Sequence, residues 1–155
     1  MPIYLRLDGI KGQTTAQGFE GQIEVASFSH SVVRPLALAT GSTGAQVGPP
    51  ELSEITLTKV TDASSVPLLK AFFLGKPIAT GRISFTRTDH ENLIAYLSLD
   101  LANAWITSIA TSSDEGLPVE QLSLAADRLT WSFDDPLDQN PAATVGFDLR
   151  LGKVV

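Results

Sequence analysis

Residues able to do chemistry are few in this sequence, and their spacing argues against the chemistry each could do. The stretch GSTGAQVG at 41–48 invites comparison with a phosphate-binding loop. It lacks the Lys-Ser/Thr ending that such loops use on phosphate and magnesium, and no helical pattern follows it. A flexible contact loop is the better reading. His30 and His90 stand far apart in sequence, without ligand-like spacing. His90 lies in TDHEN, which reads as a hairpin turn, and His30 reads as a strand residue between Ser29 and Ser31. A Ser–His–Asp triad need not be local, but no G-x-S-x-G elbow supports one. Asp134, Asp135 and Asp138 cluster in DDPLD without the spacing of a calcium loop. Asp before Pro is ordinary turn chemistry. Asp89 with Glu91, and Asp114 with Glu115, read as solvated turns in the same way. Trp105, Trp131 and the seven phenylalanines read as core. Nothing among them resembles a base-stacking platform beside basic residues. The expectation is a protein that makes contacts, is not an enzyme and needs no cofactor or metal.

Composition narrows the partners. The chain has 155 residues, enough for one domain, and neither a linker nor an internal repeat divides 1–155. Its net charge of −6 disfavours nucleic acid, which needs a basic footprint. Charged residues make up 18%, below the roughly 25% of ordinary soluble domains. So few charges point toward a surface partly hidden against copies of the same chain, or toward an ordinary uncharged surface. There is no cysteine, which excludes disulfides, thiolate metal sites and cysteine nucleophiles. The opening MPIYLRLDGIKG is not a secretory signal. No apolar run approaches the roughly 20 residues of a membrane helix, so membrane insertion is not expected.

Period-2 alternation sets the elements. It runs through Ile3–Leu7, Ile23–Val25, Ile55–Leu57, Ile83–Phe85, Leu97–Leu101, Ile106–Ile109, Leu122–Leu124, Leu129–Phe133 and Val145–Leu151. The fold class is mainly β: an antiparallel barrel or sandwich of about eight to nine strands. The apolar parity changes between Leu124 and Leu129, which predicts a β-bulge or bend near Ala125–Asp127. A similar slip separates Ile106 from Ile109. Helical period occurs once, at about 63–74. Leu68, Leu69, Phe72 and Phe73 are expected to share its buried face, with Lys70 opposite. Asp62 or Ser64 can cap its start, and Gly75 then Pro77 end it. The stretch 35–50 is rich in Gly and Pro and reads as one long irregular loop.

The order of these segments resembles the haemolysin-coregulated protein family, whose members form the inner tube of the bacterial type VI secretion system. IYLRLDGIKGQTTAQGFEGQIEV resembles that family's first strand, its Asp-Gly-Ile-Lys-Gly turn and the strand that follows. SEITLTKVTDASSVPLLKAFFLGKPI resembles its Thr-Lys strand and its helix with a Gly-Lys stop. LPVEQLSL and VGFDLRLGKVV resemble its later strands. Two departures stand out: His30 replaces a commoner aromatic in SFSH, and Val66 separates Ser65 from Pro67. The match covers nearly the whole chain.

The resemblance implies a homo-hexameric ring, stacked rings, a contractile sheath and a spike as partners, and effectors carried or chaperoned in the lumen. It implies synthesis in the bacterial cytoplasm and export by the machine itself, without a signal peptide. Because the sequence closes near its last strand, an added toxin domain is not expected. Within this frame Ser27, Ser29 and Ser31 are expected on one strand face lining the lumen. Thr40, Gly41, Ser42, Thr43, Gly44, Ala45, Gln46, Val47 and Gly48 are expected at the ring-stacking contact. The helix is expected to pack on its own barrel and not to form the core of an interface. Competing readings are another contractile-injection or phage-like tail-tube subunit, a monomeric ligand-binding β-sandwich, and a hydrolase using a serine with His30 or His90.

Overall fold

The computed structural model describes residues 1–38, 41 and 44–155. Thirteen strands and one helix occur among them. The first strands are β1 (Ile3–Leu7), β2 (Ile23–Val25) and β3 (Ser27–Ser29). An arm follows with β4 (Val32–Val33), β5 (Leu36–Leu38), β6 (Ala45–Val47) and β7 (Glu51–Leu52). Then come β8 (Ile55–Val60), α1 (Ser65–Leu74), β9 (Ile78–Asp89) and β10 (Asn92–Ser112). The chain finishes with β11 (Val119–Phe133), β12 (Ala143–Asp148) and β13 (Lys153–Val154).

Nine strands form one antiparallel sheet. Its path is β13-β12-β11-β10-β9-β1-β2, with β8 on β11 and β3 on β8. Residues 23–29 run from the β1 edge to the β8 edge, because β2 pairs with β1 and β3 pairs with β8. Between them Ala26 donates to the Thr58 carbonyl at 2.7 Å. The sheet thus curls until one length of chain spans its two ends, although no β2–β3 ladder closes it.

The expected strands of the second half are joined into two long ones. β10 has 21 residues and β11 has 15. Their register is constant from Leu97↔Phe133 to Ile106↔Leu124, so no extra residue stands at Ala125–Asp127. The parity change has another cause. Asn103 adopts a left-handed φ of 50° opposite Asp127, and its Nδ2 donates to Asp127 Oδ2 at 3.1 Å. Asn tolerates this conformation better than most residues. Both strands therefore switch faces together: Leu99, Leu101 and Leu129 are buried before the switch, and Ala104, Leu122 and Leu124 after it. At the same place β11 passes from β8, its partner through Leu124, to β12, its partner from Arg128 onward. The second slip is a register shift between Ile106 and Ser108, with Thr107 as the extra residue.

The core lies inside the curl. Leu5, Leu7, Ile23, Val25, Ile55, Leu57, Ile83, Leu99, Leu122 and Leu124 form one buried cluster. Burying each such side chain contributes roughly 1.5–3 kcal/mol. Phe28, Phe85 and Trp131 close one end with ring centroids 5.0–6.3 Å apart. Trp105 does not join this core: it alternates out of phase with Ala104 and Ile106 and is half-buried. Phe72, Phe73 and Phe133 are exposed as well.

Candidate assembly surfaces

Three surfaces present groups that the fold itself does not consume: the outer face of β3 and β8, the arm, and the outward side of α1.

The first is built by strand alternation. Ile55, Leu57 and Lys59 turn inward, so Thr56 and Thr58 turn outward. β3 sets Ser27 opposite Thr58 and Ser29 opposite Thr56. β11 sets Gln121 opposite Thr58 on the other side. The result is a patch of hydroxyl and amide groups without a charge. Ser27 Oγ and Thr58 Oγ1 are hydrogen-bonded at 2.5 Å. Ser31 falls outside this face, contrary to the expectation that three serines share one strand. β3 ends at Ser29, and Ser31 begins the arm, exchanging hydrogen bonds with Ser53: its N–H donates to Ser53 Oγ and its carbonyl accepts from the Ser53 N–H, both at 2.9 Å. His30 likewise sits just past the strand. Its ring tilts over Trp131 at 6.2 Å, and its Nε2 is buried without a hydrogen-bond partner. Burial pushes the His30 pKa down, and a hydrogen bond to the Ser53 backbone offsets this in part.

The arm corrects the expected irregular loop. Residues 32–52 carry two antiparallel ladders, Val32–Val33 on Glu51–Leu52 and Leu36–Leu38 on Ala45–Val47. The Gly48 N–H donates to the Pro35 carbonyl at 2.8 Å. Alternation failed as a signal here because both faces are exposed and no buried side imposes a period. Val32, Val33, Leu36, Leu38 and Val47 are all exposed. Of the expected stacking residues, Ala45, Gln46 and Val47 are the strand β6, Gly44 precedes it, Gly48 follows it, and Gly41 stands at the tip with φ 82°. Thr40, Ser42 and Thr43 lie outside the described residues. At the arm's root, Val32, Arg34, Pro50 and Leu52 face Leu129, Trp131, Val145 and Phe147 across an apolar cleft.

The third surface depends on how α1 is held. Its N-terminus is fixed from below by a buried ion. Lys59 is 1% exposed and reaches Asp62 Oδ1 at 3.0 Å, Glu120 Oε1 at 3.3 Å and Ser65 Oγ at 3.2 Å. Ser65 Oγ in turn donates to Glu120 Oε2 at 2.6 Å. The Asp62 carboxylate accepts from the Ser64 N–H at 2.9 Å and from its hydroxyl. Asp62 and Ser65 thus organise the helix start, while Ser64, in the N-cap position, makes no side-chain cap bond. The other end stops at Gly75, whose φ of 65° suits glycine and whose N–H bonds to the Ala71 and Phe72 carbonyls. Sequence reasoning missed the Lys59–Glu120 pair, because 61 residues separate its members. The signal was available: both occupy apolar-parity positions of their strands.

Between these anchors the expected apolar face splits in two. Leu68 is 1% exposed and points into the core, with Phe72 partly covered beside it. Phe73 and Val66 turn outward, 77% and 75% exposed, and Leu69, 38% exposed like Phe72, stands at the border of that side. Lys70 lies on that same outward side, not opposite it, since 66, 69, 70 and 73 are spaced i, i+3, i+4, i+7.

The residues weighed for catalysis scatter. His90 is exposed in the β9–β10 turn, with a φ of 54° and Asp89 3.7 Å away. Asp135 pairs with Arg87 and caps the Leu137 N–H, and Asp138 accepts from Asn140. Both do the turn chemistry expected of them. No group of three or more metal-ligating side chains occurs among the described residues. No helix among them is long and apolar enough to cross a membrane.

Known proteins share this arrangement. The family profile described as "Type VI secretion system effector, Hcp" matches residues 4–133. A type six secretion system protein of known structure is similar over 99% of each chain, with a TM-score of 0.91 at 23% identity. Hcp1 from Salmonella typhimurium covers 99% of this chain and 98% of its own, with a TM-score of 0.82 at 19% identity. Hcp1 from the E. coli EAEC 042 pathovar covers 93% and 97%, with a TM-score of 0.76 at 26% identity. No curated protein sequence matches the chain. A profile spanning most of the sequence and a shared fold over its full length agree: this chain belongs to the Hcp family and is a type VI secretion tube subunit.

Proposed function

We propose that six copies of this chain close into a ring, that rings stack into the tube, and that effectors travel in its lumen. The observation that carries this reading is surface area. The chain exposes 9625 Å². A compact monomer of 16.5 kDa exposes about 7,600 Å². The excess of about 2,000 Å² exceeds the roughly 800 Å² that one partner gives to a standard contact, and suits a subunit with more than one neighbour. The arm accounts for part of it, since it projects five exposed aliphatic side chains that its own fold leaves uncovered.

In this reading the arm, with Gly41 and Gly44–Gly48 near its tip, makes the contact between rings. The Ser27, Ser29, Thr56 and Thr58 face lines the lumen. A lumen wall of short hydroxyl side chains leaves room for cargo and holds it without strong ion pairs. A heterologous interface repeated about a six-fold axis closes the ring. Sheath and spike proteins then meet the outer wall and the tip of the tube. The subunit leaves the cytoplasm through the machine it helps to build.

Size-exclusion chromatography with light scattering, followed by negative-stain imaging, tests the assembly. Six-membered rings with a central hole are expected. A monodisperse monomer at all attainable concentrations would refute it.

A further inference from the structure

The outward side of α1 has a chemistry unlike the rest of the molecule. Val66, Leu69 and Phe73 form an apolar row with Lys70 beside it, and Leu74 and Lys76 continue it at the helix end. No acidic residue occurs between Asp62 and Asp89, in a chain whose net charge is −6. Neither Lys70 nor Lys76 forms an ion pair with a described residue. Apolar side chains at i, i+3 and i+7 are the anchor spacing by which one helix reads another. The helix is also immobilised at both ends, by the Lys59 cluster and by the Gly75 stop, so little order is lost when it binds.

We propose that this face of α1 docks an acidic amphipathic helix of a partner protein. The partner's apolar row packs on Val66, Leu69 and Phe73, and its carboxylates meet Lys70 and Lys76. A two-fold contact between copies of this chain is disfavoured, because it would bring the same lysines together. An anionic membrane is disfavoured because the chain is acidic overall and the helix cannot leave its sheet to insert. This docking surface does not rest on the ring reading.

The test uses the full chain and two fluorescent peptides of about 18 residues, long enough to be helical. One carries leucine on one face and glutamate on the other; the second replaces glutamate with lysine. Fluorescence anisotropy is measured with the unsubstituted chain, with Phe73→Ser and with the double variant Lys70→Glu, Lys76→Glu. Circular dichroism melts establish that the variants are folded. The acidic peptide is expected to bind the unsubstituted chain, to weaken with added salt, and to lose about tenfold or more in affinity with either variant. The basic peptide is expected to bind only the double variant. Absent binding, equal binding of both peptides, or unchanged binding to Phe73→Ser overturns the proposal. If Phe73→Ser instead lowers the oligomeric state in light scattering, the occupant is a second copy and the proposal fails. If the chain floats with phosphatidylserine vesicles and Phe73→Ser does not, the occupant is a membrane and it fails likewise.

Discussion

Lys59 Nζ and Glu120 Oε1 lie 3.3 Å apart beneath the first turn of α1, with both side chains buried. Lys59 also reaches Asp62 at 3.0 Å, so loss of Glu120 leaves it one partner, whereas loss of Lys59 leaves the buried Glu120 carboxylate without a cation. Lys59→Ala is expected to destabilise the fold by about 3–5 kcal/mol. Equilibrium urea denaturation measures this. Replacing both members by Met and Leu should restore much of the loss, because well-packed apolar side chains can substitute for a buried pair. A double variant as unstable as the single one would mean that the pair contributes more than mutual compensation.

The same carboxylate sets a pH dependence. Burial raises the Glu120 pKa, but hydrogen bonds from Ser65, Thr61 and Lys59, with the Lys59 charge, outweigh it and hold the group below its ordinary value. A depressed folded pKa means that the unfolded chain binds the proton first as pH falls. The stability it contributes is therefore complete above about pH 4.5 and lost as pH falls through the folded value. Glu120→Gln should show a shallower loss of stability below that pH than the unsubstituted chain. Urea midpoints measured from pH 6 to pH 3 would read the difference, since the other carboxylates are common to both proteins.

His30 acts at a higher pH and in the same direction. Its folded pKa is depressed by burial against Trp131, and folding therefore favours the neutral ring. Below about pH 6.5 the unfolded chain protonates and the folded chain resists, so stability falls as pH falls. His30→Gln is expected to flatten the stability profile between about pH 6.5 and 5. A profile of the same slope in the variant would show that His30 does not titrate differently on folding.

How far the sequence reveals this molecule depends on burial. Where one face is buried and the other wet, as at Ile3–Leu7 or Ile55–Val60, period 2 places the strand correctly. The parity change between Leu124 and Leu129 also marks a true corner, but its cause sits on the facing strand at Asn103, beyond what one strand's pattern can report. The arm has no buried face, and its ladders were invisible for that reason. In α1, four consecutive-looking apolar residues concealed two faces. Leu68 and Phe72 repeat at i, i+4, and so do Leu69 and Phe73; the position of the sheet buries Leu68, half covers Leu69 and Phe72 alike, and leaves Phe73 outside. Ser27 and Ser29 share a face of β3 by its two-residue alternation, whereas Ser31 lies beyond the residue at which the strand ends.

That division of α1 has a measurable consequence. Leu68→Ala should cost about 2–5 kcal/mol, because a fully buried leucine leaves a cavity. Phe73→Ala should stay within about 0.5 kcal/mol of the unsubstituted chain, as exposed substitutions do. Phe72, 38% exposed, should fall between them and below the cost of a fully buried aromatic. Thermal or urea denaturation of the three variants gives the order directly. A large loss at Phe73 would place that ring in the core.

If the arm makes the contact between rings, its loss separates ring formation from stacking. The arm's outer ladder, Leu36–Leu38 on Ala45–Val47, contributes nothing to the buried cluster, so deletion of Gly41–Gly48 should leave the sheet folded. Rings are expected to persist in light scattering while the variant fails to form long stacks in electron micrographs and is secreted less. Normal stacks from the shortened chain would remove the arm from the interface.

The proposed lumen face allows cargo association to be measured apart from assembly. Ser29 is exposed opposite Thr56 on an uncharged patch, and its side chain supports nothing in the core. Ser29→Arg adds a long cation there without disturbing the ladder, which uses only backbone groups. If that face lines the lumen, the variant should assemble normally while co-purification of a lumen-borne effector changes by several-fold. The control is Thr88→Arg, at an exposed position on β9, which should alter neither. An unaltered effector yield with Ser29→Arg would move the lumen to another face of the sheet. Loss of rings with Ser29→Arg would instead place β3 in the contact between subunits. The lumen and interface assignments of this strand thus give opposite results in one pair of measurements, because a new charge is tolerated in a water-filled channel and penalised in a buried contact.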